Sequence, residues 1–96
     1  VRQYELMYIL KPDLEDDAIT ANMERFKGIV EQYNGEVINL EKWGKRRLAY
    51  EIEKYRDGLY ILMNFKGTSE ISDELDRLLK INESVLRHII IREDDK

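Results

Sequence analysis

An α+β sandwich is the fold class this sequence predicts. Three observations carry the prediction: two helical stretches with one apolar stripe each, four strand-like stretches around them, and turn residues at the joins. Each element can be justified in chain order. In "QYELMYIL", Tyr4, Leu6, Tyr8 and Leu10 alternate with Glu5, Met7 and Ile9, the period of a strand, and Pro12 ends it. Asp13 is placed to cap a first helix whose acidic opening turn suits the helix dipole. Ile19, Met23, Phe26, Val30 and Tyr33 then fall on one helical face, and Asn34-Gly35 supplies the stop.

A second strand begins at Glu36 with Val37, Ile38 and Leu40, bends near Gly44 and resumes through "RRLAYEI". Asp57-Gly58 is read as the turn of a hairpin. The third strand, "LYILMNFK", is apolar at both parities. Thr68 and Ser69 can cap a second helix with Ile71, Leu75, Leu78 and Leu79 as its inner stripe. A turn at Asn82 to Ser84 leads into a last strand, "VLRHIIIR", again apolar on both sides apart from Arg87, His88 and Arg92.

The order β-α-β-β-α-β is that of the ferredoxin-like sandwich, a four-stranded antiparallel sheet with two helices on one face. Strands one and three are expected at the centre, with two and four at the edges. Residues 1–96 read as a single domain of this kind. Leu6, Tyr8 and Leu10 form the richer apolar parity and are assigned to the helix side. Two helices cover only one face, so Met7 and Ile9, with one parity of Tyr60, Leu62, Ile89 and Ile91, are left on the other. A patch built by neighbouring strands favours a protein partner. The competing readings are a self-dimer or scattered exposed apolar residues.

Composition narrows the chemistry. The chain has no cysteine and one histidine, His88, so disulfides, a thiolate nucleophile and a histidine metal cluster are not expected. No apolar run suits a bilayer and no signal pattern opens the chain, which makes a cytoplasmic address the expectation. The formal charge is −4, yet Lys42 to Arg56 holds six basic residues against two acids, a local +4. Charge is therefore segregated along the chain.

Other ferredoxin-like functions fit poorly. An acylphosphatase-like enzyme needs an anion-cradling loop after strand one, but "KPDLEDD" is acidic and lacks glycine. The same missing glycine weakens the reading as a small-molecule-binding regulatory domain. RNA recognition by base stacking needs aromatic residues where the third strand carries Leu59 and Ile61. The open face is accordingly expected to meet protein, with nucleic acid held by basic groups. No cofactor, metal, membrane or small-molecule substrate is expected.

The segments "RQYELMYILKPDL", "YNGEV", "WGKRRLAYEI", "GLYILMNF" and "NESVLRHIIIR" occur in an order and spacing that cover almost the whole chain. Together they closely resemble the family of the sixth protein of the bacterial small (30S) ribosomal subunit. "KRRLAYEI" after Trp-Gly and "RH" in the last strand are the distinctive parts, and the helices match mainly by pattern. The resemblance implies a non-catalytic structural constituent of the subunit. It further implies binding to the central domain of small-subunit (16S) ribosomal RNA together with the eighteenth small-subunit protein. Some members carry a long acidic tail, of which only "EDDK" is present here.

By position in that family, Arg2, Lys80, Arg87, His88 and Arg92 are assigned to RNA. Met7, Ile9, Trp43, Arg46, Arg47, Leu48, Tyr50, Leu62, Ile89 and Ile91 are assigned to the protein partner. Aromatic residues beside arginine favour a protein contact for the "WGKRRLAY" segment. Lys54 and Arg56 read as an ordinary solvated strand edge, and His88, taken by itself, as a packed strand residue rather than a proton shuttle.

Overall fold

The computed structural model describes residues 1–93, so Asp94 onward, most of the "EDDK" end, lies outside the described residues. Its elements are β1 (Arg2–Leu10), α1 (Asp16–Gln32), β2 (Glu36–Ile52), β3 (Tyr55–Gly67), α2 (Ser69–Ile81) and β4 (Val85–Arg92). The strands pair antiparallel in the order β2-β3-β1-β4. This is the ferredoxin-like sandwich the element order predicts.

Alternation along the two central strands decides which side becomes the core. Leu6, Tyr8 and Leu10 of β1 lie opposite Met63, Ile61 and Leu59 of β3, and all six are buried. The two helices close over them with Ile19, Phe26 and Val30 from α1 and Ile71, Leu75, Leu78 and Leu79 from α2. Phe26 meets the Tyr8 ring edge-on, with centroids 5.4 Å apart. Burial raises the Tyr8 pKa far above that of a free phenol, and its hydroxyl finds no hydrogen-bond partner among the described residues. Packing of the ring therefore outweighs a polar cost of about 1–3 kcal/mol.

Local chemistry sets the element ends. Helix α1 stops as expected at Asn34, whose φ of 66° lets the Asn34 and Gly35 amides donate back to Glu31 and Val30. The turn before β4 forms because the Asn82 side chain accepts from the Ser84 amide at 2.9 Å while the Asn82 carbonyl takes the Val85 amide. The first helix begins later than Asp13 suggested. Glu15 occupies its cap without a side-chain hydrogen bond, and Asp13 instead accepts from the Tyr55 hydroxyl at 3.1 Å.

The hairpin is where sequence and structure differ most. Asp57-Gly58 is not the turn but part of β3, with Gly58 opposite Arg46 and Asp57 opposite Arg47. The chain reverses between Ile52 and Tyr55, where Glu53 and Lys54 both adopt positive φ, 48° and 72°. That backbone follows the twist of the two strands, as a two-residue hairpin turn requires. Gly58 has another job: a side chain there would collide with Ile9, since a Cβ would lie 2.3 Å from Ile9 Cγ2.

Glu53 and Lys54 are ordinary L-residues in a left-handed turn, which costs roughly 1 kcal/mol or more per residue relative to glycine. Replacing them by Asn-Gly (Glu53→Asn with Lys54→Gly) is expected to stabilise the protein by about 1 kcal/mol in denaturant titration. A loss of stability would show that these two side chains make contacts outweighing their backbone strain.

Candidate protein and RNA interface

The face of the sheet away from the helices is built from the second parity of every strand. Across its middle run Leu62 of β3, Met7 of β1 and Ile89 of β4, and the next row holds Tyr60, Ile9 and Arg87. Ile91 flanks this band opposite Glu5. Ile89 is 54% exposed, while Met7, Ile9 and Ile91 are half-buried. The alternation that fills the core thus leaves an apolar band uncovered behind it.

Two of the apolar residues assigned to this surface are already covered in the free chain. Leu48 and Leu62 are each 8% exposed. Leu48 approaches the space above Gly58 that Ile9 also occupies, so the glycine brings the end of β2 down onto the sheet. Both leucines shape the face but add little area to a contact.

Strand β2 slips register between Val37 and Asn39 and between Lys42 and Gly44, and Gly44 takes a φ of 90°. The residues between, Ile38 and Trp43, are 45% and 42% exposed. The slip at Lys42 to Gly44 is the bend expected near Gly44, and each of the two slips adds a residue that bends the strand. The Arg46 guanidinium lies over the Trp43 ring, 5.1 Å from its centroid. Further along, Tyr50 is 63% exposed, and the Arg87 guanidinium of β4 lies 5.7 Å from its ring centroid. The arm from the β2 edge therefore reaches over the end of β1 to the opposite edge strand. Arg47 and Arg56, also exposed, line a shallow hollow with Leu48, Ala49, Tyr50 and Glu51.

The other end of the face is acidic and amide-rich. Asn39 Nδ2 donates to Glu41 Oε2 at 2.9 Å and to Asn64 Oδ1 at 3.3 Å. Asn64 Nδ2 donates to Glu93 Oε1 at 2.8 Å and, more weakly, to Glu5 Oε1 at 3.5 Å. Single-residue reading missed this chain of bonds, because its members come from three strands, β1, β2 and β3, and the segment after β4. Only the strand register brings them together.

The five residues assigned to RNA do not gather on one surface. Arg87 lies on the open face, whereas His88 and Arg92, paired with Tyr8 and Tyr4, belong to the helix-side parity. Arg2 starts β1 opposite Gly67, and Ile9, the residue that pairs with Arg87, is seven positions further on, about 23 Å along the strand. Lys80 and His88 converge on one carboxylate: Asp76 Oδ1 is 2.7 Å from His88 Nε2, and Asp76 Oδ2 is 2.9 Å from Lys80 Nζ. Because a carboxylate only accepts, the contact requires the proton on His88 Nε2. The imidazole, 14% exposed, ties β4 to α2, which matches the packed-strand reading.

The His88 hydrogen bond, then that of Lys80, holds the Asp76 pKa below the ordinary carboxylate value. A depressed carboxylate pKa contributes stability above the unfolded-state value and loses it as pH falls through the folded-state value. Asp76→Asn should therefore be less stable than the parent at neutral pH. The gap should close as pH drops below about 4, in unfolding titrations run from pH 7 to pH 2. A constant gap would mean that Asp76 acts by shape rather than by charge.

Comparison with known proteins decides the family. The family model for ribosomal protein S6 matches residues 3–92. The chain belongs to the ribosomal protein S6 family. It is 56% identical over 94 residues to small ribosomal subunit protein bS6 of Carboxydothermus hydrogenoformans, covering 98% of each chain. Against the bS6 of Desulforamulus reducens it is 55% identical over 95 residues, covering 99% of this chain and 100% of the relative. The crystal structure of 30S ribosomal protein S6 from Thermotoga maritima superposes with a TM-score of 0.91 at 29% identity, over 98% of this chain and 89% of that one. The S6 family comprises ribosomal proteins, not enzymes, and the chain's place is the small ribosomal subunit in the cytoplasm. This agrees with the acidic, glycine-free loop after β1 that fails as an anion cradle.

Proposed function

We propose that this S6-family chain, acting as one domain over residues 1–96, joins the small subunit by pairing with its eighteenth protein. The pair then binds the central domain of small-subunit ribosomal RNA. The observation that carries the reading is the uncovered apolar band of Met7, Ile9, Ile89 and Ile91 on a protein of net charge −4. Phosphate attraction supplies most non-specific RNA affinity, so an acidic protein is a poor RNA binder alone. A cationic protein seated on the open face removes that conflict and covers the apolar band.

Within this reading, Met7, Ile9, Trp43, Arg46, Arg47, Tyr50, Ile89 and Ile91 form the protein contact, with Leu48 and Leu62 as its floor. Arg2, Lys80, Arg87, His88 and Arg92 serve RNA. Their separation means that they touch it at more than one place rather than as one patch. Arg87 stands where the two surfaces meet.

Titration against the purified eighteenth protein without RNA tests the proposal. Ile89 is 54% exposed, so about half of the roughly 1.5–3 kcal/mol for burying an isoleucine is still available to a partner. Ile89→Asp forfeits that and inserts a charge, and should weaken pairing tenfold or more with little change in melting. Replacing Arg46 and Arg47 by alanine should also weaken pairing in the absence of RNA, because interfacial arginines contribute packing as well as hydrogen bonds. Unchanged pairing in both variants, with fold intact, would refute the protein contact. Loss of only the RNA salt dependence in the arginine variant would reassign that pair to phosphate.

A further inference from the structure

We infer that the open face accepts its protein partner in one orientation, which is set by opposite charges at its two ends. The occupying segment of the cationic partner presents a carboxylate to Arg46 and Arg87 and basic side chains to Glu41 and Glu93. This inference rests on the proposed pairing and specifies its geometry.

Three observations carry it. Arg46 and Arg87 are each laid against an aromatic ring, Trp43 and Tyr50. Among the described residues neither pairs with a carboxylate. A guanidinium stacked on a ring keeps its hydrogen-bonding edge free and already oriented for a carboxylate. At the far end, Glu41 and Glu93 are held by amide donors of Asn39 and Asn64, and no cation among the described residues pairs with either. Amide bonds fix the position of these carboxylates without neutralising them.

The third observation is their separation. Glu41 lies opposite Leu62 and Glu93 is bonded to Asn64, four and six residues along β3 from Gly58, which faces Arg46, a separation of about 13 to 20 Å along the strand. That exceeds the screening length of roughly 8 Å at physiological salt, so the two ends do not neutralise each other. Helix α2 behaves differently, since Glu74 pairs with Arg77 and Asp76 with Lys80 on its own surface. The apolar band runs alongside these charges, with a small hollow bordered by Met7, Ile9 and Ile89 and by Arg87 itself. A uniformly basic segment would meet repulsion at Arg46 and Arg87. A segment of mixed sign laid along the band satisfies both ends, whereas the same segment reversed opposes like charges at both, a penalty that enforces direction. A second copy of this chain offers complementary ends as well, but each copy carries −4 and the long-range repulsion works against it.

Charge reversal reads the inference directly. Glu41→Lys with Glu93→Lys, and separately Arg46→Glu with Arg87→Glu, are titrated against the purified eighteenth protein without RNA, from 50 mM to about 500 mM salt. Melting curves check the fold, and Glu41→Gln with Arg87→Gln is the neutral control. Both reversals should weaken pairing at least tenfold at low salt, with losses that shrink as salt rises, and the neutral control should fall between. Tighter pairing after the arginine reversal would overturn the inference, since it would mean that the occupant is basic along its whole length. Unchanged pairing in either reversal would overturn it too. These outcomes are distinct from failure of the proposed contact itself, which shows as no pairing by the parent chain or as unchanged pairing in both Ile89→Asp and the Arg46, Arg47 alanine variant. Sedimentation of the chain alone at rising concentration completes the test: self-association abolished by either reversal would give the face to a second copy and refute the oriented partner.

Discussion

Everything in this molecule depends on a shortage of cover: four strands expose two faces, and two helices can cover only one. The helix-side parity of β1 and β3 accordingly packs to full burial around Leu6, Tyr8, Leu10, Ile61, Met63 and Phe65. The opposite parity leaves Ile89 exposed and Met7, Ile9 and Ile91 only half-buried. An antiparallel sheet with one solvated face ordinarily alternates apolar with polar residues. Here the middle of the outer face is apolar and its ends are charged, an arrangement that suits a surface to be covered by another molecule.

The β2–β3 hairpin turns that flat face into a shaped one. Its arm leans over the sheet because Gly58 leaves room for Ile9 and Leu48 to meet. That lean delivers Tyr50 to Arg87, and the register slip at Trp43 delivers its ring to Arg46. Two arginines far apart in sequence thereby reach the same end of the face, each held by an aromatic ring. The basic segment that looks anomalous in an acidic chain is thus a structural arm whose charges are placed by packing.

How much of this was legible beforehand follows from the range of the interactions involved. Strand alternation in "QYELMYIL" and the helical stripe of Ile71, Leu75, Leu78 and Leu79 are local patterns that marked the helix side and the open face, while the sheet order followed from matching the element order to the ferredoxin-like sandwich. The hairpin turn was misplaced because Asp-Gly is a strong local signal, while the need for glycine at position 58 comes from Ile9, distant in sequence. Glu53 and Lys54 carry no such signal, since their left-handed conformation is imposed by the strands on either side. The amide network of Asn39, Asn64, Glu41 and Glu93 was invisible for a similar reason: it exists only in the register of the assembled sheet. The residues assigned to RNA came from family position; the period of a strand puts the neighbours Arg87 and His88 on opposite faces of β4, and the sheet register shows that His88 takes the helix side.

The claim at the centre of this account is that the open sheet face is the surface by which the protein meets its protein partner in the ribosome. Oxidative footprinting of side chains, comparing the free chain with the chain inside assembled small subunits, tests it most directly. The account predicts strong protection of Met7, Tyr50, Tyr60 and Ile89 on assembly, with little change at Tyr33, which lies on the helical side where its hydroxyl donates to Glu74. Protection confined to the helical side, with Met7 and Ile89 as reactive in the subunit as in the free protein, would contradict it.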